Sequence, residues 1–398
     1  RWHEVWNYLA RRGYADQVGW VKTTCHCEGA LCPKQPPHNL GIASLEKNTL
    51  LARAYQISGG TNMTSGKVLI IGGGPSGLES ARCIAELGGE AILIEKRERL
   101  GGTPDRENYA KLTHRWRDAS EAMAEMANAV TSNKNVEGKY SAEVKGISGS
   151  AGNFAVEIEA NGAAESLNVG AVIIATGFQH FDPGRATQYY NYYSFPDVIT
   201  LTDLEKMLKE HNVVRPSNGE TPKKIAFIQC VGSRDRQIGN EYCSKVCCGI
   251  ASKQAIELRE QITDSKVFIF YIDMRMYGYW ENEIYWPAQE KYKVNYIKGV
   301  ISEVLKKGDK LLIRGEDTTM SRPMEVEMDM VVLSVGMEPS AGTRAIAQLL
   351  DIQQNKYGFI EAGGAGGLDP VATSKDGIFV AGAASGPADL TDSISAAG

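Results

Sequence analysis

Short apolar runs that end in glycines or polar turns recur along this chain and predict the strands of an α/β protein. The run at 67–71 leads into a glycine turn, and residues 80–87 then show helical spacing. A second apolar run follows at 90–94. This order of strand, turn, helix and strand predicts a β-α-β unit with parallel strands.

The glycine turn matches the G-x-G-x-x-G fingerprint, with Gly72, Gly74 and Gly77 at its three glycine positions. The first glycine makes the turn, the second lets a pyrophosphate approach the backbone, and the third lets the helix pack on the strand. Glu95 ends the second strand, where a carboxylate can accept both ribose hydroxyls. The predicted cofactor-binding residues of this unit are Gly72, Gly74, Pro75, Ser76, Gly77, Glu95 and Lys96.

Further motifs decide between FAD and NAD. The pair Gly101–Gly102 follows the second strand, and an apolar strand at 172–174 ends in Ala175–Gly177. Both features resemble the flavin disulfide reductase superfamily, in which such a pair approaches the cofactor. An ordinary surface turn is the alternative interpretation of the pair. Between these motifs, the runs on either side of Asn161–Gly162 predict a tight hairpin.

The same superfamily closes its flavin site near the C-terminus, and the strand at 377–382 suits this role. An acidic residue follows the Ala-Gly pair in the superfamily, whereas Ala383 follows it here and Asp389 comes later. A helix predicted from Ser393 to Gly398 would direct backbone N–H groups at the flavin pyrimidine. The resemblance implies cofactor contacts at Gly101, Gly102, Ala175, Thr176, Gly177, Gly382, Asp389, Thr391 and Ser393.

A second β-α-β frame is predicted from a strand at 225–229, a helix at 251–261 and a strand at 266–272. By analogy, a second glycine fingerprint for NAD(P) should follow its first strand. Cysteines occupy that loop instead, and four thiolates are what a [4Fe-4S] cluster requires. The alternatives are a zinc site, a redox disulfide between Cys243 and Cys247, and inert buried thiols. The predicted metal ligands are Cys230, Cys243, Cys247 and Cys248.

The cysteine loop also carries a more specific likeness. The segments Cys230–Asp235 and Tyr242–Cys248, with the ending at Ala381–Pro387, resemble the heterodisulfide reductase A-subunit (HdrA-like) family from about Gly66 to Gly398. That resemblance implies FAD in the first fold and a four-iron cluster at the altered loop of the second. The compact chain is most similar to the corresponding subunit of bacterial sulfur-oxidising complexes. The quinone-interacting oxidoreductase subunit of sulfate reducers is an alternative.

The predicted fold is therefore two dinucleotide-binding, Rossmann-type domains of the thioredoxin reductase-like class, the second inserted in the first. Residues 66–215 and 340–398 are predicted to form the FAD-binding domain, and residues 216–339 the inserted unit with the cysteine motif. Residues 1–65 are predicted to form an N-terminal extension. We expect Cys83, on the first helix, to pack in the core.

The extension contains three more cysteines, Cys25, Cys27 and Cys32. Archaeal relatives of the family carry a Cys-x-Cys in a similar place. Three cysteines cannot complete a cubane alone. They are expected to donate ligands to the first cluster, or to bind a second cluster with a ligand from elsewhere. A structural role is the alternative.

The composition narrows the classes of function. The 43 basic and 48 acidic residues are mixed along the chain, so no basic stripe indicates a nucleic-acid partner. No apolar run reaches the roughly 18 residues of a membrane span. Clustered cysteines in a long chain favour a reducing, cytoplasmic compartment. The aromatic segment 277–286 is either a partner surface or part of a domain interface.

These features together predict an oxidoreductase: a flavoprotein and iron–sulfur electron-transfer subunit. Its expected partners are the other subunits of a heterodisulfide reductase-like complex in dissimilatory sulfur metabolism, and a second copy in a homodimer. No catalytic acid or base is assigned. An NAD(P)H-dependent flavin disulfide reductase with a degenerate nucleotide loop is one alternative. A non-catalytic, zinc-stapled nucleotide-binding scaffold is another.

Overall fold

The computed structural model describes residues 66–113, 115–185, 190–363 and 369–398. In chain order its strands are β1 Lys67–Ile71, β2 Glu90–Glu95, β3 Val136–Tyr140, β4 Ala142–Ser150, β5 Asn153–Ala160, β6 Ala163–Val169, β7 Ala171–Ile174, β8 Phe178–His180, β9 Val198–Thr200, β10 Lys224–Val231, β11 Lys266–Tyr271, β12 Asn295–Lys307, β13 Lys310–Asp317, β14 Arg322–Met328, β15 Met330–Val335, β16 Met337–Pro339 and β17 Ile378–Val380. Its α-helices are α1 Pro75–Glu86, α2 Gly102–Arg106, α3 Ala119–Thr131, α4 Leu201–Lys209, α5 Cys247–Gln261, α6 Trp286–Glu290, α7 Ala341–Leu349 and α8 Leu390–Ser395.

The first sheet has the strand order β17-β7-β1-β2-β3, and all of its strand pairs are parallel. Its central strands consist almost entirely of buried apolar residues, as expected for a sheet covered on both faces. On one face, Ile70 packs with Leu78 and Ile84 of α1. On the other face, Leu69 packs with Val156 of the antiparallel layer β4-β5-β6. The predicted first dinucleotide-binding unit is therefore present.

The hairpin predicted at Asn161–Gly162 connects β5 and β6. Both turn residues have positive φ, 50° and 79°, as the tight turn of a two-residue hairpin requires. Asn and Gly adopt this left-handed conformation more readily than other residues. The pattern of the sequence therefore placed this turn correctly.

The second sheet has the strand order β14-β13-β12-β11-β10-β15-β9. Its core strands β10, β11 and β15 are parallel, and β12 continues into an antiparallel meander with β13 and β14. The predicted second β-α-β frame is formed by β10, α5 and β11. Helix α5 begins at Cys247, four residues before its predicted start, so two of the cysteines lie in its first turn.

The second unit is inserted between β8 and β16, which pair with each other in an antiparallel ribbon. The chain then returns to the first sheet through β17, so the predicted insertion topology is confirmed. β9 and α4 precede the expected boundary at residue 216 but pack in the second core, because β9 pairs with β15. Helix α8 begins at Leu390, three residues before its predicted start, because the Asp389 carboxylate caps it by accepting the Asp392 N–H.

Candidate cofactor site

A cavity of about 600 Å³ opens at the carboxyl ends of β1 and β2, where ligands bind in α/β sheets. Its wall is built from both units and from the C-terminal segment, which the fold brings together. Most of the predicted cofactor-binding residues line it. They are Gly72, Gly74, Pro75, Ser76, Glu95, Lys96, Gly102, Ala175, Thr176, Gly177, Asp389 and Ser393.

Close approach of backbone segments shapes the floor of this cavity. A side chain at Gly72 would place its Cβ 2.4 Å from the carbonyl oxygen of Ala175, and its φ is +115°. A Cβ on Gly102 would lie 2.6 Å from the Cα of Gly74. The glycine fingerprint and the glycine pair therefore lie against each other. They leave bare backbone facing the cavity, which is what a pyrophosphate needs.

The N-terminus of α1 is open toward the same cavity. Its N-cap is Gly74, which offers no capping side chain, and no acidic residue lies in the first turn. The unpaired N–H groups of a helix N-terminus attract anions. Glu95 is buried beside it, and its two carboxylate oxygens accept the N–H groups of Gly73 at 2.8 Å and Arg97 at 2.9 Å. These bonds hold the carboxylate at the cavity wall, so the residues present fit FAD.

Four predicted cofactor residues do not line the cavity. Gly77 and Gly382 act in packing instead: a Cβ on Gly77 would meet Gly72 O at 1.8 Å, and one on Gly382 would meet Ser76 Oγ at 2.1 Å. Gly101 has a φ of +110° and is the N-cap of α2. Thr391 is exposed on α8. The first three support the site through the backbone, whereas the structure shows no such role for Thr391.

The cysteine loop begins with a bulge in β10. The pairing of β10 with β15 shifts between Ile228 and Val231, and Cys230 lies between them with a φ of +62°. This left-handed conformation is uncommon for a residue other than glycine and stores strain. Arg234 and Lys245, further along the loop, share it, with φ of 57° and 63°. The loop is thus held in a conformation that its residue types do not favour on their own.

The structure brings the four cysteines of the second unit into one neighbourhood. Burial, and then the nearby Cys248 and Cys243, raises the pKa of Cys230 to about 12, and the Arg234 guanidinium beside it opposes this rise. Burial and the other cysteines likewise raise the pKa of Cys247. The Cys243 sulfur accepts the N–H of Lys245 at 3.3 Å. The thiols are close enough to influence one another's protonation.

This arrangement is not a finished site for a single ion. No group of three or more His, Cys, Asp or Glu residues in the described parts of the chain is positioned to hold one metal ion. None of the five described cysteines forms a disulfide. The donor set nevertheless has the thiol chemistry that an iron–sulfur cluster uses. The ligand role of Cys230, Cys243, Cys247 and Cys248 stays a prediction, and Cys25, Cys27 and Cys32 lie outside the described residues.

The cysteine motif borders directly on the cofactor cavity. Lys245, Val246, Gly249 and Ile250 line it, and they flank Cys247 and Cys248 on both sides. Lys245 also forms an ion pair at 3.1 Å with Asp392 of α8, across the two units. The loop that replaces the nucleotide turn is therefore part of the wall of the cofactor cavity. We call the glycines Gly72, Gly74 and Gly102 of this cavity the glycine cradle.

The aromatic segment 277–286 was predicted to be either a partner surface or part of a domain interface, and its side chains are partly interior and partly exposed. Trp280 lines the cavity, and it packs against the second core. Tyr277 and Trp286, by contrast, are 68% and 44% exposed. A π-helical turn at Glu281–Tyr285 lies between Trp280 and Trp286. One side of the segment is therefore interior wall and the other is surface.

Sequence reasoning missed several polar residues of the cavity. Lys253 of α5 is 1% exposed, and its ammonium group bonds Glu205 at 2.5 Å and Glu257 at 3.1 Å. A charged residue within an otherwise buried helix is the signal that could have found it. Tyr109 and His180 also line the cavity, 3.0 Å apart between Oη and Nε2. They are distant in sequence, so no spacing motif connects them.

Lowering the pH from 7 to 5 is expected to destabilise the folded chain through His180. Burial lowers the pKa of His180 from 6.5 to about 4. The unfolded chain therefore binds the additional proton first, and stability is lost as the pH falls from about 6.5 toward 4. Urea unfolding at both pH values should show a smaller loss of unfolding free energy in His180→Gln than in the natural chain. Equal losses would contradict the assignment.

The fold and this cavity define the class of the protein. Residues 66–397 match the pyridine nucleotide-disulphide oxidoreductase family, and the chain belongs to that family. Thioredoxin reductase of T. acidophilum has the same fold, with a TM-score of 0.56 at 18% identity, over 83% of this chain and 94% of that one. The predictions of the fold class and of an oxidoreductase are confirmed.

More specific relatives are A-subunits of heterodisulfide reductases. The chain is 31% identical over 414 residues to the A-subunit of the H(2):CoB-CoM heterodisulfide,ferredoxin reductase of Methanothermobacter thermautotrophicus, covering 83% of this chain and 62% of that protein. It is 32% identical over 413 residues to the second iron-sulfur A-subunit of the CoB–CoM heterodisulfide reductase of Methanopyrus kandleri, covering 82% and 62%. The predicted resemblance to the heterodisulfide reductase A-subunit family is confirmed. The chain spans less than two thirds of the length of these relatives.

The helices of the described residues are short or partly polar. Among them, none has both the length and the apolar character to span a bilayer.

Proposed function

We propose that this chain is the FAD- and [4Fe-4S]-containing electron-transfer subunit of a heterodisulfide reductase-like complex. One observation carries the proposal: the residues that flank Cys247 and Cys248 line the same cavity as the glycine cradle. A flavin in the cavity and a cluster on the loop would therefore be neighbours. The relatives named as iron–sulfur subunits of heterodisulfide reductase support the same assignment.

In this function the residues of the chain bind, orient and isolate the cofactors. The backbone at Gly72–Gly74 and the open N-terminus of α1 would receive the pyrophosphate, and Glu95 would accept the ribose hydroxyls. The four cysteines of the loop would hold the iron. When bound, FAD supplies both one- and two-electron chemistry and the cluster supplies one-electron transfer. Lys253 is paired with Glu205 and Glu257, and Glu205 lines the cavity with it, so these side chains would form a charge-paired part of the cavity wall.

The altered loop also argues against hydride entry from a nicotinamide. The second β-α-β frame is kept, but its phosphate-binding turn is replaced by the strained cysteine loop. We therefore favour electron relay over an NAD(P)H-dependent flavin disulfide reductase with a degenerate nucleotide loop. We also favour it over a zinc-stapled scaffold without turnover, because the cysteines border a cavity that fits a flavin.

The finer parts of the proposal concern the physiological setting. We propose a place in dissimilatory sulfur-compound oxidation, in the cytoplasm, as a homodimer bound to the other subunits of the complex. The related quinone-interacting oxidoreductase subunit of sulfate reducers is the second candidate. Cys25, Cys27 and Cys32 would add ligands to the same cluster or hold a second one. Asp389 and Ser393 would contribute the α8 end of the flavin site.

Anaerobic purification followed by flavin, iron and zinc analysis tests the proposal. We expect one flavin and about four irons per chain for one cluster, with a broad absorption that bleaches on dithionite addition. Zinc without iron would instead support the scaffold, and bleaching of the flavin by NADH would support the nucleotide-dependent reductase. Identification of the proteins that co-purify then tests the setting in sulfur metabolism.

A further inference from the structure

Two buried polar side chains near the cysteine loop lack hydrogen-bond partners. Gln229, on β10, is 6% exposed, and neither its amide nitrogen nor its amide oxygen has a partner. Ser334, on β15, is fully buried, and its hydroxyl also has no partner. Leaving such groups unpaired in an interior costs free energy, because each has lost its hydrogen bonds to water. A bound cofactor, ion or water can supply the missing partner of such a group.

The alternation of side chains along the strands places both residues on the same face of the sheet. Ile225 and Phe227 of β10 pack in the core that contains α5, so Gln229 follows on that face. Met330 and Val332 of β15 pack in the same core, so Ser334 follows there as well. The left-handed Cys230 then reverses the alternation, and Val231 packs on the opposite side.

This face is the one that the first turn of α5 covers. The thiol of Cys247 donates to the carbonyl of Val335 at 3.7 Å, directly after Ser334. Gln229 immediately precedes Cys230 in the chain. The β10 and β15 strands are neighbours, and Ile228 pairs with Leu333 just before the two polar residues. Both unpartnered groups therefore lie at the carboxyl ends of adjacent strands, one next to Cys230 in the chain and the other next to the residue whose carbonyl accepts the Cys247 thiol.

We infer that Gln229 and Ser334 are positioning residues that donate hydrogen bonds to the sulfurs of the iron–sulfur centre and raise its reduction potential. This inference rests on the proposed function. Sulfur that bears negative charge is a suitable acceptor for the amide N–H and the hydroxyl. Donors to cluster sulfurs stabilise the added negative charge of the reduced cluster, so they favour reduction. Neither residue exchanges electrons itself.

Redox titration of the anaerobically purified full chain, monitored by electron paramagnetic resonance, tests the inference. Gln229→Met keeps the volume of the side chain but removes its donors, and Ser334→Ala removes only a hydroxyl. In each variant, the ratio of reduced to oxidised cluster at the wild-type midpoint potential should fall by up to about tenfold, because the lost hydrogen bond is stronger to the more negative, reduced cluster than to the oxidised one. Ser265→Ala, whose buried hydroxyl donates to Ile262 at the far end of α5, is the control and should not change the ratio.

The possible outcomes separate this inference from the proposed function. Absence of iron from the natural chain would overturn the proposed function, and the inference with it. A normal cluster whose potential is unchanged in both variants would overturn the inference alone. Loss of iron from both variants, with native circular dichroism, would assign the pair to cluster assembly and would also overturn the role in setting the potential. If Gln229→Met alone loses its cluster, the titration of Ser334→Ala tests the inference: a lowered potential supports it and an unchanged potential overturns it.

Discussion

Replacement of Cys248 by serine is expected to remove nearly all of the bound iron while leaving the flavin in place. Cys248 lies in the first turn of α5 and is 5% exposed, and the backbone N–H of Arg275 bonds its sulfur. Burial raises the pKa of this thiol, so a bound metal is what would keep it as a thiolate. A serine hydroxyl deprotonates far less readily, and a cubane that lacks one of its four thiolates is not held stably.

Iron and flavin analysis of the purified variant measures this result. The iron content should fall from about four per chain to near zero, with one flavin retained. Cys83→Ser is the matched control, because Cys83 is a thiol of α1 whose hydrogen bond goes to Glu79 of the same helix. It should keep its full iron content. Equal iron in the Cys248→Ser variant and the natural chain would refute the ligand assignment.

Gly74→Val is expected to have the opposite effect, loss of flavin with retention of iron. A Cβ on Gly74 would have one neighbour within 4 Å, the Cα of Gly102 at 3.5 Å, and no strained φ accompanies it. The chain itself therefore tolerates the side chain. The valine methyl groups would enter the cavity where the pyrophosphate must approach the backbone. An overpacked contact costs about 1–3 kcal/mol, which weakens binding by about 5-fold to 150-fold.

Flavin retention after gel filtration and the affinity of the refolded apoprotein for added FAD measure this effect. Gly386→Val is the control, because a Cβ there would have no neighbour within 4 Å and the residue does not line the cavity. It should bind FAD as the natural chain does. If Gly74→Val also binds FAD normally, the pyrophosphate is not received at this turn. Unchanged thermal unfolding of both variants would show that the effect is local.

Much of the fold was accessible from the sequence because local rules decide it. The apolar runs predicted β1, β2, β10 and β11 within a few residues, since buried parallel strands need continuous apolar segments. The hairpin at Asn161–Gly162 followed from the positive φ that its turn requires. The helix starts were less well predicted. Helix α5 begins at Cys247 and α8 at Leu390, because capping and packing place the first turn and periodicity does not.

The candidate site was predicted in its local parts but not in its assembly. The glycine cradle and the cysteine motif were both visible as spacings, yet nothing in those spacings shows that they share a cavity. Tyr109, His180 and Lys253 were missed because they come from three separate segments. Gln229 and Ser334 were missed because a buried polar residue is recognised only when its surroundings are known.

The turns could be predicted from single residues and short spacings, since backbone conformation and thiol chemistry are local properties. Those spacings predict a nucleotide-binding first fold and a second fold with cysteines in place of its phosphate turn. That these two places lie side by side is visible only in the folded chain. The antiparallel ribbon of β8 and β16 connects the inserted unit with the first. Contacts between segments far apart in the chain depend on that packing, which no local pattern encodes.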